Sequence, residues 1–150
     1  MKLSTKARYV TRALLDLACH REGEVIPLKD IARRQGISLP YLEHLMAPLV
    51  VAGLVRSLRG AAGGIRLAQS PRDIKLIKVI SLVEGSLVFV ECVDNPEICP
   101  RSRRCATREV WAELGRALKG VLESKTLQDL VESQQRKEQA DERICENAKC

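Results

Sequence analysis

Apolar residues recur at helical spacing from the start of the chain. Ala7, Val10, Leu14, Leu17 and Ala18 share one face of a segment that Ser4 can cap, which predicts a helix to about Arg21. Gly23 ends it, and Val25-Ile26 reads as a very short strand before Pro27. A second helix, about Leu28 to Gln35, turns Leu28, Ile31 and Ala32 inward, and Gly36 supplies the left-handed residue that stops it. Ser38 is a good N-cap for a third helix. Leu39 and Pro40 occupy its first turn, where proline costs little, and Leu42, Leu45, Met46 and Leu49 form its apolar side. Pro48 is expected to kink or split this helix, and Gly53 closes it.

The pattern then changes period. Residues 54–58 and 65–68 are short β segments flanking the glycine-rich run 59–64, a hairpin that would form a wing. Leu76, Val79, Ile80 and Val83 give a fourth helix over 74–84, ended by Gly85. Residues 86–106 lack helical periodicity and hold Pro96 and Pro100; they read as a loop that is ordered only if something staples it. Thr107 is expected to cap a long helix to about Glu123, with Val110, Trp111, Leu114, Leu118, Val121 and Leu122 as a wide apolar stripe. Such a stripe suits a dimer interface, the alternative being packing against the first helix. Thr126 caps a short helix, Leu127 to Glu132, and the polar chain from Ser133 onward is expected to be disordered.

The fold class is thus mainly α with a small β wing (α+β): a winged helix-turn-helix plus a long C-terminal dimerisation helix. It divides into a DNA-binding domain at 1–85, a cysteine-bearing loop at 86–106, dimerisation and short return helices at 107–133, and a tail at 134–150.

Composition agrees with packed helices: hydrophobic residues make up 45% of the chain but aromatic ones only 3%. No secretory signal precedes the first amphipathic segment, and the apolar run 45–52 falls well short of the ~20 residues that span a bilayer. A cytoplasmic protein without a membrane partner is expected. Charge is one-sided. Residues 1–70 carry 11 Lys and Arg against 5 Asp and Glu, whereas residues 71–150 carry 14 of each sign. A basic half of this kind attracts a phosphate backbone, as double-stranded DNA would present.

The second helix of a helix-turn-helix presents its N-terminal residues to base edges in the major groove. Here those are Ser38, Tyr41, Glu43 and His44, with Tyr41 equally readable as a packing residue. In the wing, Arg56, Arg59 and Arg66 flank glycines that allow close approach to a phosphate or a narrow minor groove.

Three of six cysteines crowd into the pattern Cys92-x6-Cys99-x5-Cys105. Clustering in a cytosolic chain points to metal or redox chemistry rather than a disulfide framework. Arg101, Arg103 and Arg104 would favour thiolates there. On the residues alone an iron–sulfur cluster and zinc are equal readings, although zinc sites more often use Cys-x2-Cys knuckles, which are absent. Cys19 reads as core. Cys145 and Cys150 read as a tail redox pair or as inert. An enzyme, such as a thiol oxidoreductase, is disfavoured by the lack of Cys-x-x-Cys and by only two histidines.

The segments MKLSTKARYVTRALLDLA, IARRQGISLPYLEHL, AGLVRSLRG, GGIRLA and TLQDL resemble the iron–sulfur cluster regulators of the IscR type, from Met1 to about Val131. The resemblance implies a homodimeric repressor or activator loaded by the iron–sulfur assembly machinery. It also implies a [2Fe–2S] cluster on Cys92, Cys99 and Cys105, and DNA contacts at Ser38, Tyr41, Glu43, His44 and Arg59. This chain departs from the family pattern at Pro40 and His44 of the reading helix. Arg108 stands where the family's fourth ligand, a histidine, is expected, and Arg8 where a related branch places a carboxylate. The fourth ligand is left open among His20, His44, Glu43, Cys145, Cys150, a partner-chain group and an exogenous thiol. The function expected is transcription regulation in which cluster occupancy changes operator binding; a cluster-free thiol- or zinc-dependent regulator is the alternative.

Overall fold

The computed structural model describes residues 3–60, 63–87 and 90–147, with side chains to Asp141. The chain begins with α1 (Thr5–Ala18), α2 (Leu28–Gln35) and α3 (Leu39–Val51). The wing strands β1 (Val55–Leu58) and β2 (Gly64–Leu67) follow, then α4 (Leu76–Glu84). A short α5 (Glu91–Asp94) and two 3-10 turns, Pro96–Ile98 and Ser102–Arg104, lead into the long helices α6 (Ala106–Ser124) and α7 (Leu127–Asn147). Among the described residues no helix is long and apolar enough to cross a membrane.

Helix α1 organises the core. Ser4 caps it, its side chain accepting from the Ala7 amide at 3.1 Å, and Ala7, Val10, Ala13, Leu14 and Leu17 are buried. Around that face pack Ile31 of α2, Leu42, Leu45, Met46 and Leu49 of α3, Leu54, Val55 and Ile65 of the wing, Ile74, Val79 of α4 and Leu127 of α7. Each fully buried Leu or Ile contributes about 1.5–3 kcal/mol of transfer free energy, so this single cluster dominates the folding of residues 5–83.

The turn between α2 and α3 follows its sequence signal. Gly36 has φ +65° and its neighbour's amide, Ile37 N–H, donates back to Ala32 at 2.9 Å. In the wing, β1 and β2 pair antiparallel with Val55 opposite Leu67 and Arg56 opposite Arg66. The expected Val25-Ile26 strand survives as one bridge, Ile26 to Ile65. Gly64 is required there, because a Cβ on it would run into the Ile26 carbonyl.

Four expectations need correction. Pro48 neither splits nor ends α3: the helix closes only three residues later, with Ala52 N–H donating to Pro48 O at 3.0 Å, so the missing amide costs a single bond near the end. Thr107 does not cap α6; Cys105 holds that position, with no side-chain cap. Cys19 is exposed at the C-terminal end of α1 rather than buried, because the helix stops at Ala18, before Arg21. Residues 134–147, expected to be disordered, continue α7, which the polar composition alone did not suggest. Cys150 lies outside the described residues.

Two polar ties fix α1 to its neighbours. Asp16, with its side chain only 6% exposed, accepts from Arg34 Nη2 at 2.6 Å and from Gln35 Nε2 at 2.8 Å. Burial by itself would raise its pKa, but the bonds from Arg34 and Gln35 outweigh burial and hold the carboxyl below its usual range. At the other end, Ser4 N–H donates to Glu84 Oε1 at 2.9 Å, joining the start of α1 to the end of α4.

Asp16→Asn is expected to lower unfolding stability at neutral pH by about 2 kcal/mol. Because the folded carboxyl titrates below its unfolded value, this contribution is present above the ordinary aspartate range and fades as pH falls through it. Urea melts of both proteins across pH check this; a difference that stays constant into acid overturns it.

Candidate DNA-reading head and cysteine segment

The reading helix offers a compact polar tip. Ser38 precedes α3 in extended conformation, and its side chain makes no capping bond, so the hydroxyl is free. Ser38, Glu43 and His44 are exposed, whereas Leu42 and Leu45 are buried. Tyr41 is only half exposed and packs edge-on against Tyr9, ring centroids 6.2 Å apart at 84°. Its ring therefore also braces α3 on α1.

The three wing arginines separate. Arg59 is exposed beside Gly60, at the edge of the hairpin tip, whose residues 61–62 lie outside the described set. Arg56 and Arg66 instead line a cavity with the end of α1, and no residue of α3 contributes to it. The groove between wing and reading helix is lined by Leu39, Glu43, Val50, Ser57, Leu58 and Gly64. The division follows from position: Arg56 and Arg66 are register partners in the strand pair, whereas Arg59 lies past the end of β1.

The cysteine segment is folded, not featureless. Asn95 N–H donates to Glu91 O at 2.9 Å and Ser102 N–H to Cys99 O at 3.0 Å, closing its turns. Ser102 is buried, and its hydroxyl donates to Pro96 O at 2.7 Å, tying the two 3-10 turns together. The staple that the sequence leaves unnamed is Arg108. From the first turn of α6 its Nε donates to Cys92 O at 2.7 Å and its Nη2 to Val93 O at 3.1 Å. Two carbonyls near the end of α5 are thereby satisfied by one planar cation. Nothing in the local pattern marks this role, since the partners stand 15 and 16 residues away.

Cys92, Cys99 and Cys105 are free thiols of intermediate exposure. The Thr107 hydroxyl lies 3.1 Å from Cys105 Sγ. A bond from that hydroxyl, helped by the Arg108 backbone, holds the Cys105 thiol below its ordinary value and favours thiolate. The donor chemistry suits a thiophilic metal or iron–sulfur centre at three positions. Yet among the described residues no three Cys, His, Asp or Glu side chains converge closely enough to hold a metal ion. At the fourth position Arg108 is a cation already engaged by carbonyls. His20 is engaged too, its Nδ1 lying 2.8 Å from Asp16 O, and Glu43 and His44 sit on the reading helix.

Segment and reading head are physically continuous. Leu87, just before α5, is buried with Ala7 of α1 and Ile80 of α4, and Leu122 of α6 packs on the same cluster. Helix α6 rests on α4 and α5. It has no buried residue, and one side of it stays open: Val110 is 52% exposed, Trp111 38%, Leu114 42% and Val121 59%. Beyond α6 the chain is pinned by Leu127 N–H to Ile74 O at 2.8 Å and by the reciprocal Thr126–Asp129 cap that starts α7.

Residues 3–133 match the family model Rrf2, described as an iron-dependent transcriptional regulator. The chain is 44% identical over 131 residues to protein rrf2 of Nitratidesulfovibrio vulgaris, covering 87% of each. It is 42% identical to the HTH-type transcriptional regulator IscR of Aliivibrio salmonicida, covering 87% of this chain and 77% of that one. Among solved structures, T. potens IscR aligns with TM-score 0.72 at 43% identity, over 89% of this chain and 88% of that one. CymR, the global cysteine regulator of B. subtilis, aligns with TM-score 0.76 at 38% identity, over 89% and 98%.

Arg108→Ala is expected to speed amide exchange of Asn95 and Ser102 about tenfold, the loss of a charged hydrogen bond, while amides of α1 and α3 keep their protection. Unchanged exchange at 91–104 would show that the guanidinium is no staple.

Proposed function

Because this chain belongs to the Rrf2 family of transcriptional regulators, we propose that it acts in the cytoplasm as a homodimer that binds operator DNA and that Cys92, Cys99 and Cys105 form its sensor. The observation that carries the reading is the continuity of packing from the cysteine segment through Leu87 and Leu122 to the first turn of α1, on which the reading helix is braced.

In this reading Ser38, Glu43 and His44 meet base edges in the major groove, and Arg59 reaches a phosphate or the adjacent minor groove. Tyr41 sets the tilt of α3 through Tyr9 and touches DNA only at its hydroxyl. The open apolar side of α6 is covered by the same helix of a second copy, which places two reading heads about one helical turn of DNA apart, ~34–36 Å. Cys92, Cys99 and Cys105 would hold a [2Fe–2S] cluster, loaded by the assembly machinery, with a fourth ligand from outside the segment. A cluster supplies a redox- and supply-sensitive crosslink between the three thiolates. The chain's own residues would convert it: a closure of the segment would act on Arg108 and α6, and α6 packs on α4, which packs on α1. A coupling of about 1–3 kcal/mol changes operator affinity some 5- to 150-fold.

Anaerobic purification with iron, sulfide and zinc analysis tests the centre, and DNA titration at matched salt tests the coupling. Iron and sulfide lost in the triple Cys→Ser variant, with a shifted operator affinity, is the expected result. Zinc in their place, or full binding by a metal-free chain with no response, supports the thiol- or zinc-dependent alternative. Arg59→Ala should weaken operator binding; an unaltered footprint removes the wing from the interface. Trp111→Ala with Val121→Asp should convert the dimer to monomer in sedimentation, with secondary structure retained; an intact dimer excludes α6 as the interface.

A further inference from the structure

Behind the wing lies a cavity of about 700 Å³ between the end of α1, the sheet, the 68–72 connector and the start of α7. Four arginines line it: Arg21, Arg56, Arg66 and Arg72. Two glutamates, Glu22 and Glu24, share the rim, so the lining is cationic on balance. The ion pairs among the described residues are His20–Asp16, Arg33–Asp30 and Arg34–Asp16. None of the four lining arginines is therefore neutralised by a carboxylate within the described chain.

Arg66 is the most telling. Its Nε is fully buried, yet has no hydrogen-bond partner among the described residues. A buried donor without an acceptor is costly, and a cationic one more so. Arg56 stands directly opposite Arg66 across the antiparallel pair, and like charges in register repel. The repulsion falls if an anion sits between the guanidinium groups, whose planar forks suit two-point contact with oxyanions. The cavity is concave and touches no residue of α3, which favours a small free ligand over the backbone of a duplex lying along the reading helix.

We propose that this cavity binds a small multivalent oxyanion, of phosphate or pyrophosphate size, held chiefly by Arg66 and Arg56 with Arg21 and Arg72 at the mouth. Its walls come from both wing strands, from the end of α1 and, through Gln128, from the first turn of α7. A bound anion consequently sets the wing against the α1–α7 scaffold, independently of the cysteine segment.

The test uses the full chain and inorganic pyrophosphate, with sodium chloride at equal ionic strength as reference. Amide resonances of Gly23, Arg66 and Gln69 should shift saturably with pyrophosphate and not with chloride. Arg66→Gln and Arg56→Gln should each weaken binding about tenfold or more, the loss of a charge-assisted bond. Lys78→Gln, which removes the same charge from exposed α4 surface, should bind as the parent does. Arg56 is exposed, so its variant keeps the test valid if the Arg66 change disturbs folding. Shifts that do not saturate, that chloride reproduces, or that survive both substitutions overturn the proposal. It is equally overturned if the parent ignores pyrophosphate while both variants lose operator affinity, for the arginines then serve a DNA phosphate.

Discussion

Everything in this molecule hangs on the buried face of α1. Ala7, Val10, Ala13, Leu14 and Leu17 serve two sets of neighbours at once. Toward one side they seat α2, α3 and the wing. At the N-terminal end Ala7 meets Ile80, Leu87 and Leu122, the elements that carry the cysteine segment and the long exposed helix. A close-packed interior transmits displacement because it has little room to absorb it. One helix therefore underlies both the helix-turn-helix with its wing and the elements that carry the cysteine segment.

Polar contacts sharpen this arrangement at its ends. Asp16, Arg34 and Gln35 lock the C-terminal half of α1 to α2. Glu84 catches the first amide before α1 from the end of α4. Hydrogen bonds to charged groups are worth more than neutral ones and demand a fixed geometry. They add orientation to a core whose apolar contacts alone are non-directional.

The cysteine segment obeys a different logic. With little apolar area of its own, it is held by turns, by Ser102 and by the Arg108 guanidinium. Its three thiols are partly exposed, and among the described residues they do not converge on one point. Arg108, where the resemblance places a ligand, is instead engaged with the Cys92 and Val93 carbonyls.

Periodicity alone specified α1 to α4, the Gly36 turn and the hairpin, because a helix or strand that buries one face must repeat its apolar residues at 3.6 or 2.0. The basic first half likewise pointed to DNA, in keeping with the regulator family. Contacts between residues far apart in sequence were not legible: the Arg108 clamp, the edge-on Tyr9–Tyr41 pair, the division of Arg56 and Arg66 from Arg59, and the exposure of Cys19. Residues 134–147 illustrate the other gap, as a polar run carries no periodic signal of the helix it joins. Local pattern records which face a segment must hide. Only the assembled fold decides what each remaining polar group meets, since that depends on where distant segments arrive in space.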